Sequence, residues 1–182
     1  MTSLRLLGHD LRADQRSRWS TLEVLPVLIL FASLGAAQEL PSVQLNTNNV
    51  AGKQLEDLTQ KAVARDYAKA WSTLAKATET NNADLIDSDF VGVAAEKLTT
   101  GIEQQAKSGL HRRYVDHGHK VDVLFYSPDG TSMQLRDTAQ LEVQLLDGDK
   151  VLHSDNVTRQ YISLMTPTEV RWKVRVLQEV QK

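Results

Sequence analysis

The chain contains no cysteine. It therefore has no disulfide, no zinc–thiolate site, no Cys-ligated iron–sulfur cluster and no cysteine nucleophile. Proline and glycine are sparse, 4 and 9 in 182 residues, which excludes collagen-like and Gly/Pro-rich low-complexity chains. Neither charge sign dominates. Lys and Arg total 21 against 23 Asp and Glu, a net charge of -2, which argues against a nucleic-acid binder held by phosphate contacts. There is no phosphate-binding glycine loop, no Gly-x-Ser-x-Gly elbow and no His-Glu-x-x-His helix. An enzyme without a local motif stays open. What is present, 41% apolar and 24% charged residues, is the composition of a globular protein with one core.

Residues 1–37 have the pattern of a secretory signal peptide. Arg5, Arg12, Arg16 and Arg18 precede an apolar run from Val24 to Leu34, and the small residues Gly35, Ala36 and Ala37 follow. Cleavage is expected after Ala37. An uncleaved anchor is the alternative, but the apolar run falls short of the ~20 residues that span a bilayer. The expected address is therefore periplasmic or secreted, with an inner-membrane anchor as the alternative. A membrane contact is expected only if the segment stays uncleaved. Residues 38–49 read as a linker or an ordered lead-in, and residues 50–182 as the domain.

Within that domain two helical patterns come first. Leu55, Leu58, Ala62, Val63, Tyr67, Ala70, Trp71, Leu74 and Ala77 recur at threes and fours. Asn49 is the expected cap, and Asn81-Asn82 the expected left-handed end. A second helix is expected behind a cap at Ser88 or Asp89, through Phe90, Ala94, Leu98, Ile102, Ala106 and Leu110, closed by Gly109. After about Tyr114 the period becomes two. Ser132–Leu146 alternates throughout, with Met133, Leu135, Asp137, Ala139, Leu141, Val143 and Leu145 on one face. Ser127-Pro128-Asp129-Gly130, Asp147-Gly148-Asp149-Lys150 and Thr166-Pro167-Thr168 are the turns. The expected fold class is α+β, two to three N-terminal helices on a four-stranded antiparallel sheet.

Three segments carry a family resemblance: Asp66–Ala77 (DYAKAWSTLAKA), Asp137–Leu145 (DTAQLEVQL) and Arg159–Leu177 (RQYISLMTPTEVRWKVRVL). In this order the chain resembles, over residues 50–180, the nuclear transport factor 2-like superfamily, which includes ketosteroid isomerase and the SnoaL-like proteins. The resemblance implies a curved, cystatin-like cone with a pocket between helices and concave sheet. It also implies a homodimer through the convex face as one option. The family includes isomerases, dehydratases, ligand-binding domains and assembly modules, so the resemblance does not settle function.

Asp137 is the sharpest oddity, a carboxylate on an apolar strand face. In a pocket it would be a candidate general base, the role such a group has in the isomerases. The structural alternatives are a bulge that returns it to solvent, or neutralisation by Arg159. Tyr67, Trp71, Tyr161 and Trp172 are candidate ligand-binding residues, or simply core. His117 and His119 would share a side if extended, as a metal pair does. Their third ligand, Asp116 or His111, has no established spacing, and Gly118 suggests a turn, so no metal or cofactor is assigned. Arg112-Arg113 is a two-residue basic spot. Arg171, Lys173 and Arg175 form a charged stripe on the last strand, an outer face or a docking stripe for an acidic partner. The expected function is an exported, non-catalytic domain that binds a small apolar ligand or an envelope protein. The alternatives are a small isomerase or dehydratase using Asp137, and a membrane-anchored subunit of an envelope complex.

Overall fold

The computed structural model describes residues 40–181. The signal-peptide expectation for residues 1–37 lies outside the described residues. Two short strands come first, β1 (Val43–Asn46) and β2 (Ala51–Gly52). The long helix α1 (Asp57–Thr80) follows, then a 3-10 turn at Ala83–Ser88 and α2 (Gly92–Lys107). Four long strands complete the chain: β3 (Leu110–Tyr126), β4 (Met133–Asp147), β5 (Lys150–Pro167) and β6 (Trp172–Glu179).

The α+β class holds, but the sheet has six strands rather than four and is mixed rather than antiparallel. Its order is β1-β3-β4-β5-β6, with β2 also on β3. The two added strands run parallel to β3, at Val43↔His119 and Ala51↔Phe125. Both are short, so their alternation is hard to read in polar surroundings. In β1, Val43 and Leu45 are half-buried while Gln44 and Asn46 face solvent.

These pairings also move the start of α1 from the expected Val50 to Asp57. Gly52 has φ +92, and a Cβ there would collide with the Tyr126 carbonyl, to which Lys53 N–H donates. The helix ends where expected, on Asn81 in the left-handed conformation at φ 52. The second helix also starts late. Asp89 does not cap it. The chain is held there by β6 instead: Val91 N–H donates to Val174 O, and Val174 N–H to Asp89 O, both at 2.9 Å.

Tyr67, Trp71, Leu74, Ile86, Phe90, Leu135, Leu141 and Met165 are buried in one core between the helices and the inner sheet face. Each large apolar side chain there contributes about 1.5–3 kcal/mol. Register shifts in β3, at Asp116/Gly118 and Val123/Phe125, bend the sheet around the helices. Among the described residues no helix is long and apolar enough to cross a membrane.

Candidate functional site

Gly118 does not turn the chain. It lies within β3 with φ +120, and its N–H donates to Asp116 Oδ1 at 2.8 Å. The extra residue shifts the pairing by one, so neighbours that would share a face separate. His117 is exposed and His119 is buried. They do not form the side-by-side pair that an extended chain predicts.

The bulge is in β3, not in β4 at Asp137. There the ladder runs unbroken, Val121↔Asp137 on one side and Asp137↔Tyr161 on the other. Asp137 therefore keeps the inner face and is fully buried. Arg159 does not neutralise it, being paired with Glu179 at 3.2 Å. Asp137 Oδ2 accepts from the Tyr67 hydroxyl at 2.9 Å and lies 2.8 Å from His119 Nδ1. The other ring nitrogen, Nε2, lies 2.7 Å from Asp116 Oδ2. Asp116, His119, Asp137 and Tyr67 thus form one chain of hydrogen bonds from the surface into the core. Asp116, 15% exposed, is its outer end and lines a cleft of about 470 Å³ with Ser72 and Glu79.

Burial by itself would lower the His119 pKa. The hydrogen bonds to Asp116 and Asp137, with their charges, outweigh it and raise the value from 6.5 to about 9. At neutral pH the ring is an imidazolium that donates from both nitrogens. Burial, then the Asp137 charge, holds the Tyr67 hydroxyl well above its ordinary range, so it remains a donor. Asp137 Oδ1 and the nearby Ser163 Oγ are buried without a hydrogen-bond partner among the described residues.

A separate cavity of about 460 Å³ lies between α1, α2 and the sheet. Its apolar wall includes Trp71, Leu98, Ile102 and Leu177, and Tyr114 and Tyr161 also face it. Lys97, Arg112, Arg159 and Glu179 bring charge to its lining. Burial pushes the Tyr161 hydroxyl up to about 12. Trp71 stands between this cavity and the buried cluster: its ring centroid is 4.6 Å from that of His119 and 5.1 Å from that of Tyr161.

The five candidate ligand-binding residues therefore divide. Trp71 and Tyr161 line the cavity. Tyr67 and Asp137 lie behind Trp71, bonded to each other. Trp172 is elsewhere: it packs on Tyr126, and its backbone N–H donates to the buried Asp66. Two residues of the basic C-terminal stripe are also occupied. Arg171 pairs with Asp89 at 3.0 Å, and Lys173 donates to the Asp87 carbonyl at 2.8 Å. His119, a candidate metal ligand beside His117 in the sequence, joins the buried hydrogen-bonded cluster instead, while Arg112, Leu98 and Ile102, which the sequence marks only as a basic spot and as helix core, line the cavity. For His119 a signal existed in the alternation His119, Val121, Val123. The bulge at Gly118 interrupts that alternation on its N-terminal side, where a glycine between two histidines also fits a turn.

Helices over the concave face of a curved sheet, enclosing a pocket, define the class of architecture that the resemblance implied. No protein-family model and no curated protein matches this chain. Among solved structures, the chain is similar to the intermembrane space region of the chloroplast protein ARC6, at 16% identity and TM-score 0.60. The match covers 71% of this chain and 100% of that one. A Streptomyces avermitilis protein of the NTF2-like family is similar at 10% identity and TM-score 0.46, over 68% of this chain and 99% of that one. A domain with a cystatin-like fold from Nostoc punctiforme is similar at 8% identity and TM-score 0.40, over 70% and 80%. At these identities the likeness is one of fold alone.

Proposed function

We propose that residues 40–181 form a non-catalytic binding domain of the cell envelope, whose cavity takes a small molecule with an apolar body. One observation carries this reading. The buried groups equipped for proton transfer, Asp137, His119 and Tyr67, do not line the cavity, Trp71 separates them from it, and the carboxylate that does line it, Glu179, is held by Arg159. A general base must come within hydrogen-bond reach of the proton it removes. Tyr161 does face the cavity, but a hydroxyl with a pKa of about 12 serves as a hydrogen-bond donor rather than an acid at neutral pH. The cavity volume is in the range of small-molecule sites, ~300–1,000 Å³. Export rests on the basic, apolar and small-residue order of residues 1–37.

Native mass spectrometry of the protein drawn from its host's envelope tests both parts. The expected species begins at Gln38 and carries a small-molecule adduct. Gly101 lines the cavity, and a Cβ there meets open space, so Gly101→Trp starts an indole from an unobstructed position on the cavity wall. It should abolish the adduct. An adduct retained in that variant would place the ligand elsewhere. A chain beginning at Met1 would support the anchored reading.

A further inference from the structure

The cavity's charge is opposite in sign to that of the whole chain. The protein carries a net -2. Of the charged groups in the cavity lining, three are cationic and one is anionic. Glu179 is already held by Arg159. Arg112 and Lys97 have no carboxylate within salt-bridge distance among the described residues. They come from different walls, Arg112 from β3 and Lys97 from α2, and both are exposed at the rim. The apolar surface of Trp71, Leu98, Ile102 and Leu177 belongs to the same space.

We propose that this cavity takes an amphiphile with an anionic head, its apolar body against Trp71 and Leu98 and its head on Arg112 and Lys97. The proposal rests on the reading that the cavity is a ligand site, and adds the ligand's chemical class. A guanidinium offers a planar pair of N–H donors that matches the two oxygens of a carboxylate, sulfonate or phosphate. The Tyr161 hydroxyl, which keeps its proton, is a further donor facing the same space. A cationic head would meet two positive charges that have no carboxylate partner among the described residues. A wholly apolar ligand would leave those charges unused.

Decanoate, decanol and decyltrimethylammonium share one chain length and differ in head charge. Each is titrated below its micelle concentration into the full chain by calorimetry. Trp71 fluorescence, assigned with Trp71→Phe, locates the binding. Charge-assisted hydrogen bonds predict that decanoate binds at least about tenfold more tightly than decyltrimethylammonium. Arg112→Glu should remove that preference without lowering the thermal midpoint, and Lys97→Glu should reduce it. Equal binding of all three probes would overturn the anionic-head assignment while leaving the cavity a ligand site. No binding of any probe would overturn both. Decanoate binding that is unaffected by Arg112→Glu and Lys97→Glu would also overturn the assignment.

Discussion

On one side of Trp71 lies a buried imidazolium between two carboxylates. On the other lies an open cavity with cations at its rim. The two regions share one aromatic side chain and use charge differently. Behind Trp71 the Asp116–His119–Asp137 contacts are 2.7–2.8 Å long, and His119 and Asp137 are sealed from water. At the cavity, Arg112 and Lys97 are exposed and lack a carboxylate partner among the described residues. Buried charge needs partners, because desolvation of an ion costs several kcal/mol. Exposed charge does not, and so remains available to a ligand. A titratable residue in the interior of such a cone is therefore not by itself a sign of catalysis.

The sharpest way to break the buried side is to remove one member. His119→Leu leaves Asp137 buried with only Tyr67, and Asp137→Leu leaves the imidazolium with only Asp116. Each should cost about 3–5 kcal/mol in urea unfolding. The double variant should cost clearly less than the two singles together, because neither charge is then left alone. Additive losses would mean that the pair does not act as a unit.

A change of pH probes the same cluster without mutation. The folded pKa of His119, about 9, lies above the unfolded 6.5. Its contribution is therefore fully present below pH 6.5 and is lost as pH rises through about 9. The loss between pH 6 and pH 9.5 should approach ~3 kcal/mol, at 1.36 kcal/mol per pKa unit. In His119→Leu this part of the profile should be flat. The same slope in that variant would assign the effect to other groups.

On the cavity side the expected effect is smaller and of opposite sign. Gly101 lies in α2 with open space around a built Cβ. Gly101→Ala should stabilise the protein by ~0.5–1 kcal/mol in thermal unfolding, by restricting the unfolded chain. A loss of stability would show that the cavity wall needs the glycine.

The sequence by itself determined the order of the two helices and the four long strands, and the inner face of β4 over Met133–Leu141. Period three-to-four in α1, the left-handed stop at Asn81, and period two in β4 are local properties of the chain, and the structure has them. Asp137 is legible in the sequence as a break in an apolar face, but its inward position follows only from the unbroken register of β4 on both sides. Its partners were not legible, since Tyr67 and His119 are 70 and 18 residues away. Only the tertiary structure decided those contacts, through the bulge at Gly118 that turns His119 inward while His117 faces out. It also decided the parallel pairing of β1 and β2, which delays the start of α1. Finally, it gathered Arg112, Lys97 and Trp71 from β3, α2 and α1 around one cavity. Periodicity states which face a side chain takes on its own element. Which faces then meet depends on register and curvature, and those are set by contacts between residues far apart in the chain.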